Sequence, residues 1–184
     1  GVEQQGFQVA AALAGLRSSV VPHQGLTNAE LLGFDDLTKS AETFSEDQLN
    51  RLAEEGIWIV TQDAVGATPY VRHQLTTDES SLNTSEDSPT ANVDSISYAL
   101  QRILAPYIGL YNRNPYSLDL IRNAVFNELL FRQTGTFTET AGNQLNGFTI
   151  EKLEVNAAFK DRIDIEIRLD VPYPYNYINV TLFV

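Results

Sequence analysis

The 184-residue chain contains no cysteine and only two histidines. The absence of cysteine excludes disulfides, thiolate catalysis and cysteine-ligated metal sites within this sequence. Basic residues are also scarce, because 12 Lys and Arg stand against 24 Asp and Glu, which gives a formal net charge of −12. This surplus of negative charge repels nucleic acid and anionic lipid, so we expect no nucleic-acid partner. No run of about 18 apolar residues is present, which predicts no membrane insertion.

Apolar residues make up 43% of the chain, which suffices for a packed core and disfavours wholesale disorder. At this length we expect a single domain over 1–184, with a helix and an irregular connector in 1–44 and an α+β core with a C-terminal strand arm in 45–184. The first residues, GVEQQGFQV, lack the basic region of a signal peptide and do not begin with Met. We therefore expect the chain to be a fragment of a longer protein.

Capping signals and apolar periodicity predict the helices. Ser45 is a good N-cap, and Gly56 ends the helix that it opens. Ser88-Pro89 and Asn114-Pro115 each place proline after an N-cap, a pattern typical of a helix start. A further helix is predicted over about 3–18.

Each predicted helix carries an apolar face at helical spacing. In the first helix this face consists of Phe7, Ala10, Ala11 and Ala14. The helix after Pro89 presents Val93, Ile96, Leu100, Ile103 and Leu104. The helix after Pro115 presents Leu118, Ile121, Val125 and Leu129, and further apolar residues elsewhere on it indicate burial or an interface.

Strands are predicted from a period of two or from short apolar runs between turns. In RIDIEIRLDV, 162–171, apolar and charged residues alternate without a fault, which is typical of a half-buried antiparallel strand. Pro172 and Pro174 end this ladder because they lack the N–H that a central strand donates. We predict an α+β fold with helices packed on one face of a small, mainly antiparallel β-sheet, with strands near 57, 71, 151, 162 and 177.

Several stretches in one order carry a family resemblance. They are AALAGLRSS near the start, GIWIV at 56–60, VRHQLTTDESS at 71–81, LAPYIGLYN at 104–112 and DVPYPYNYINVTLFV at the end. Together they resemble the C-terminal, tube-proximal region of contractile tail sheath proteins of tailed bacteriophages, from about residue 7 to 184. The N-terminal arm and outer insertion domains of full sheath proteins are not recognisable, and sheath-like subunits of R-type pyocins and type VI secretion leave the parent system open.

The resemblance implies a structural subunit. Sheath subunits stack as rings around a tail tube, and their extended arms add strands to the sheets of neighbouring subunits. The sheath is assembled in a long, high-energy state and contracts when triggered at the baseplate, which drives the tube through the host envelope. The implied partners are other sheath subunits in a homo-oligomer, the tail tube protein and the baseplate. The implied location is the virion tail, with the host cytoplasm during assembly.

The C-terminal segment is the candidate subunit interface. Its last strand either pairs within its own domain or adds to a neighbour's sheet by β-augmentation. The tyrosines before it either pack with their hydroxyls at the surface or contact an adjacent subunit. The residues assigned to the interface are Tyr173, Tyr175, Tyr177, Ile178, Val180, Leu182 and Val184.

Charged residues cluster in a loop and on one strand face. The acidic loop contains Asp78, Glu79, Glu86 and Asp87, and its spacing matches no EF-hand. We expect it to be solvated, or to face a basic patch on the tube or a neighbour, and we expect no metal and no cofactor. The charged face of 162–171 has mixed signs, which is typical of a solvated face; ion pairs between subunits are the alternative.

An enzyme is the rival class of function. His73 can be combined with Asp78 and Ser80 on paper, but no nucleophile elbow, H-E-x-x-H or phosphate loop supports a site. We therefore expect no catalytic residues and a structural role for His73. A baseplate or tube-associated structural module and an acidic hydrolase stay open as alternatives to a sheath subunit.

Overall fold

The computed structural model describes residues 5–35, 37, 44–64, 66–78, 80–135, 142–176 and 178–182. Two of the candidate interface residues, Tyr177 and Val184, lie outside these ranges, as does Glu79 of the acidic loop. The chain falls into two compact units, of which unit 1 is Gly1–Thr90 with Tyr173–Val184 and unit 2 is Ala91–Pro172. The expectation of a single domain over 1–184 stays a prediction.

Unit 1 combines short helices with a small antiparallel sheet. Its elements are α1 (Gly6–Ser19), α2 (Glu46–Glu54), β1 (Ile59–Thr61), β2 (Tyr70–His73), α3 (Leu82–Ser85) and the first turn of α4 (Asp87–Leu104). β1 pairs with β2, and their register shifts between Ile59 and Val60.

The connector after α1 covers the other side of β2. The backbone N–H of Asn28 donates to the carbonyl of Val71 at 2.7 Å, and the N–H of Val71 donates to the carbonyl of Ala29 at 2.9 Å. The connector was predicted to be irregular, but here it supplies ladder bonds. β2 is therefore hydrogen-bonded on both sides around Val71, which is fully buried.

Unit 1 has a mixed polar and apolar core. Gln74 is fully buried; its Oε1 accepts from the N–H of Leu26 at 2.7 Å and its Nε2 donates to Oγ of Ser88 at 2.9 Å. Leu26 and Val71 are buried beside these groups in the same unit. One amide side chain thus connects the connector to the start of α4, and both of its polar ends are satisfied.

The predicted face of α1 is wrong. Phe7, Ala10 and Ala11 are exposed, whereas Val9, Leu13 and Leu16 on the opposite side are half-buried. Apolar residues surround this helix, so periodicity alone does not select a face. The larger leucine and valine side chains gain more free energy from burial than alanine does, and they determine the buried side.

α2 begins and ends where its sequence signals predict. Oγ of Ser45 accepts from the N–H of Gln48 at 3.4 Å, and Oε1 of Gln48 accepts from the N–H of Ser45 at 2.8 Å, which completes a capping box. Gly56 follows the helix with φ of 71°. A Cβ atom at Gly56 would lie 2.2 Å from the carbonyl oxygen of Thr76, so only glycine fits there.

Unit 2 packs two helices on a hairpin. It contains the rest of α4, a 3₁₀ turn (Ala105–Tyr107), α5 (Pro115–Thr134), β3 (Gly147–Val155) and β4 (Ile163–Asp170). Asn114 caps α5 as predicted, because its side chain accepts from the N–H of Ser117 at 2.8 Å. β3 and β4 pair antiparallel, with a register shift between Ile150 and Lys152.

The core of unit 2 is mainly apolar, although Asn92 and Gln144 are buried there as well. Its fully buried members are Ile96, Val125, Leu129 and Leu145. Partly buried residues pack against them, namely Leu100, Leu104, Phe148, Ile150, Ile165, Ile167, Leu169 and Val171. The predicted inward face of α5 is thus confirmed, and that of β4 is confirmed for Ile165, Ile167 and Leu169. Ile163 at the start of β4 and Val93 of the stripe predicted for α4 are exposed instead.

The α+β class and the antiparallel pairing are confirmed. Within the described residues, however, the strands form two separate two-stranded sheets, β1–β2 and β3–β4, rather than the single sheet expected. The strand predicted near 177 forms no ladder in its described part, 178–182. Local alternation predicts a strand but carries no information about its partner, which lies far away in sequence.

We predict that Gly56→Ala destabilises unit 1 by about 2 kcal/mol or more. The added methyl group meets the backbone of Thr76 and Thr77 and also forces a positive φ on alanine. Chemical denaturation followed by circular dichroism measures the change. Gly66→Ala is the control, because Gly66 also has a positive φ but a Cβ there meets nothing within 4 Å; equal losses for both variants would contradict the steric argument.

We predict that Leu129→Ala lowers the free energy of unfolding by about 2–5 kcal/mol, because it leaves a cavity in the core of unit 2. Leu130→Ala, one residue along the same helix, should cost less than about 1 kcal/mol, since Leu130 is 38% exposed. Denaturant titration of both variants measures the difference. Similar losses at the two positions would mean that the core is elsewhere.

Candidate subunit interface

The C-terminal segment 178–182 forms no backbone ladder with the described residues. Ile178, Val180 and Leu182 are 83%, 75% and 84% exposed, and none of residues 178–182 belongs to a strand. No hydrogen bond joins this segment to another described residue. Alternating apolar residues without a ladder leave both their side chains and their main-chain groups available to another chain. Of the two readings of this segment, pairing within its own domain finds no support in the described residues.

The residues just before this segment are held by contacts with other parts of unit 1. Oδ1 of Asn176 accepts from Oγ1 of Thr27 at 3.0 Å, and its Nδ2 donates to Oε1 of Glu86. Pro174 lies so close to Gly25 that a Cβ on this glycine would be 2.9 Å from Cβ of the proline. The terminal stretch thus divides into a fixed root and an exposed end.

The two described tyrosines of the cluster, Tyr173 and Tyr175, are exposed. Tyr175 is 94% exposed and Tyr173 is 45% exposed, so the first of the two alternatives, packing within its own domain, does not hold for Tyr175. An aromatic ring that is nearly fully exposed gains most from burial by a partner, because tyrosine combines a large apolar area with a polar tip. Tyr173 and Tyr175 stay candidates for a contact between subunits.

The acidic loop is not simply solvated. Glu86 is 9% exposed, and its Oε1 lies 2.9 Å from Nε2 of His73. Oδ2 of Asp87 lies 2.5 Å from Nε of Arg17, which ties α4 to α1 within unit 1. Of the three acidic loop residues that the structure describes, only Asp78 behaves as expected: it is exposed, and hydrogen bonds from Ser80 lower the pKa of its carboxyl group.

His73 is used in a structural pair. The imidazole contacts the carboxylate of Glu86, rather than completing the Ser–His–Asp arrangement that could be drawn with Asp78 and Ser80. Thr84 and Ser81 lie around Ser80, whose hydroxyl is 3.3 Å from Oγ1 of Thr84. These contacts explain both side chains without catalytic chemistry.

The charged face of the β3–β4 hairpin is paired within the chain. Arg168 Nε lies 2.8 Å from Oε1 of Glu151, and Arg162 Nε lies 3.0 Å from Oδ1 of Asp164. Lys152 contacts Glu154 at 3.3 Å and Glu166 at 3.5 Å, and these carboxylates raise the pKa of its ammonium group. The basic side chains of this face already have partners within the chain. This favours the prediction of a solvated charged face over the alternative of ion pairs between subunits.

Sequence reasoning missed an apolar groove in unit 2. It encloses about 580 Å³ between the end of α4, the start of α5 and the tip of the hairpin. Leu104, Ile121 and Ile165 are among its lining residues, and Ile108 and Leu110 beside the 3₁₀ turn are 81% and 70% exposed. The available signal was the apolar run LAPYIGLYN, which is broken by proline and too short for a helix of its own.

Neither a membrane span nor a metal cluster is found in the described ranges. No helix there combines the length and apolar character needed to cross a bilayer. No group of three or more His, Asp or Glu side chains is arranged there to hold a metal ion.

Three solved structures share this architecture. A chain of the anti-feeding prophage baseplate has a TM-score of 0.70 and 14% identity, with 95% of this chain and 48% of that chain covered. A chain of the contracted helical sheath of the same particle has a TM-score of 0.70 and 13% identity, with coverages of 95% and 49%. The sheath tail protein Lin1278 from Listeria innocua has a TM-score of 0.56 and 18% identity, with coverages of 82% and 37%.

The fold is that of contractile tail sheath proteins. This bears out the resemblance seen in the sequence at the level of the fold. The chain spans about half the length of the first two sheath-fold chains that it matches, and less of the third. No family model and no curated protein matches the sequence.

We predict that the exposed end of this sheath-fold chain is the first part to be cut by a protease that cleaves beside large apolar residues. Residues 178–182 have no ladder bonds to protect them, whereas Ile167 lies in β4 opposite Ile150. Mass spectrometry of a brief digest of the unassembled protein locates the first cuts. Initial cleavage in β4 would contradict the exposed arrangement.

Proposed function

We propose that the chain is part of a structural subunit of a contractile phage tail sheath. In this proposal, copies assemble around the tail tube through shared β-strands, and contraction drives the tube through the host envelope. Its partners are other sheath subunits, the tail tube protein and the baseplate. The assembled protein belongs to the virion tail, and assembly takes place in the host cytoplasm.

The observation that carries the proposal is a sheath fold with an unpaired, alternating apolar segment. Ile178, Val180 and Leu182 have the pattern of a strand that is buried on one face, yet they have no partner strand in the described part of the chain. A strand added to a neighbour's sheet would satisfy the backbone by main-chain hydrogen bonds and the side chains by burial. We include Tyr173, Tyr175, Tyr177 and Val184 in the same interface.

The exposed apolar surface of unit 2 supports an assembled state. Ile108, Leu110 and Tyr116 are each more than two-thirds exposed, and Phe131 is 57% exposed. Monomeric proteins seldom expose so many large apolar side chains close together in sequence, and contact with other copies would remove them from water. Such surface is the physical source of free energy for assembly and for contraction.

Strand sharing suits a contracting lattice. Backbone hydrogen bonds between subunits hold the network together, while the bodies rotate and slide to bury additional apolar surface. The extended sheath is then a kinetically trapped state, and its interfaces switch between two arrangements instead of deforming continuously. No reaction at a cleft is needed for this work.

We predict that a proline in the exposed segment of the intact protein abolishes tube formation. Successive N–H groups of a strand point to opposite edges, so at least one of Asn179→Pro and Val180→Pro removes a ladder bond to the neighbour. Negative-stain electron microscopy under assembly conditions counts tubes and measures their length. The melting temperature of the unassembled variants should match the original protein, because both positions are exposed.

Asn179→Thr and Val180→Ile serve as controls, since they keep the N–H and favour the extended conformation. If both proline variants form normal tubes, the strand-sharing part of the proposal is wrong. If the unchanged intact protein forms only discrete rings, a baseplate component replaces the sheath subunit. A lone particle that hydrolyses a small substrate, with activity lost in His73→Ala, would overturn the structural role altogether.

A further inference from the structure

We propose that Asn176 is a positioning residue that fixes the point at which the shared strand leaves its own subunit. The proposal rests on the proposed function, because it concerns how segment 178–182 is presented to a neighbouring copy. It assigns a distinct role to a polar anchor, formed by Asn176, Thr27, Glu86 and His73, that lies entirely in unit 1.

Asn176 uses both halves of its amide. Its oxygen accepts from the hydroxyl of Thr27, and its nitrogen donates to the carboxylate of Glu86. These partners precede it by 149 and 90 residues, so the contacts hold the root of the segment to two distant parts of unit 1. Among the described residues, Asn176 is the last side chain with such contacts before the exposed end.

The acceptor is a buried carboxylate, which strengthens the anchor. Oε1 of Glu86 accepts hydrogen bonds from Asn176 and His73, while Oε2 is buried and has no hydrogen-bond partner among the described residues. A hydrogen bond to a charged, poorly solvated acceptor is stronger than one between neutral groups in water. Loss of Asn176 would therefore leave the carboxylate of Glu86 with the imidazole of His73 as its remaining described partner.

Packing at Pro174 limits the same root from a second direction. The contact with Gly25 leaves no room for a Cβ there. The side-chain nitrogen of Gln74 lies 3.3 Å from the position of that Cβ. The fully buried amide of Gln74, which also binds Leu26, therefore packs beside the contact between Pro174 and Gly25. The root is thus held by packing at residue 174 and by hydrogen bonds at residue 176.

The anchor restricts where the shared strand can pair. Each extended residue spans at most about 3.6 Å, so Ile178 lies within about 7 Å of Cα of Asn176. Freeing residues 173–176 would lengthen this tether to roughly 20 Å and admit pairings displaced along the neighbour's strand. A displacement by one residue turns every apolar side chain to the wrong face. A fixed root therefore selects one register and raises the effective concentration of the strand at its acceptor.

The test measures arm position and assembly separately in the intact protein. Asn176→Asp places a second carboxylate against Glu86, and Thr27→Val removes the other hydrogen bond with little change in shape. Spin labels on Glu54→Cys and Thr181→Cys, both in unit 1, report the distance distribution of the exposed end in the unassembled protein; this chain contains no other cysteine. Electron microscopy counts the tubes that each variant forms.

We expect Asn176→Asp to broaden the distance distribution and to reduce tube formation at least about tenfold, the effect of losing one charge-assisted hydrogen bond. Thr27→Val should change both readouts in the same direction, and Glu86→Gln combined with Asn176→Asp should restore them, because an amide can donate to the new carboxylate. Asn123→Ala, at an exposed asparagine of α5 outside both the anchor and segment 178–182, should change neither the distance distribution nor the number of tubes.

Unchanged distances in Asn176→Asp and Thr27→Val would overturn the anchor. So would broadened distances with normal tubes, because the root would then not position the strand. A stability role alone would lower the melting temperature without broadening the distances measured well below it. If the unchanged protein forms no tubes, the sheath function fails, while the distance measurement still decides whether Asn176 holds the arm.

Discussion

A buried carboxylate must be hydrogen-bonded, and much of unit 1 is arranged around this requirement at Glu86. Strand β2 contributes His73, and the C-terminal root contributes Asn176. The next residue, Asp87, pairs with Arg17 of α1, so adjacent carboxylates at the start of α4 bind elements from both ends of the chain. Removing one partner of either carboxylate would leave a poorly solvated charge without compensation. The resulting loss of folding free energy is larger than the net contribution of the contact itself.

The two units are stabilised in different ways. Unit 1 buries the amides of Gln62 and Gln74 and the carboxylate of Glu86 beside few apolar side chains, and directional hydrogen bonds define its geometry. Unit 2 has a continuous apolar cluster between its helices and hairpin, where close packing is the main contribution. A polar core specifies one arrangement sharply, whereas an apolar core tolerates small shifts of packed elements. This division places the strictly positioned C-terminal root on the unit whose contacts are the more directional.

Sequence reasoning succeeded where the determining forces are local. The caps at Ser45 and Asn114 and the buried stripe of α5 depend on residues within one or two turns, so their patterns are legible. It failed where the partner is remote. Nothing near Glu86 in the sequence indicates that an acidic loop residue is buried, because its partners come from positions 73 and 176. The division of the strands into two sheets was hidden for the same reason, and the resemblance to sheath proteins supplied the fold where periodicity could not.

The alanine face of α1 has a mechanical consequence. Ala10, Ala11 and Ala14 are exposed on α1, whose other side is half-buried within unit 1. Small side chains form shallow ridges, so a surface resting on them meets little interlocking and low barriers to sideways movement. In the proposed sheath, a neighbouring subunit that rests on these three alanines, beyond the larger and exposed Phe7 at the start of the helix, would meet low barriers to sideways movement without the helix having to repack.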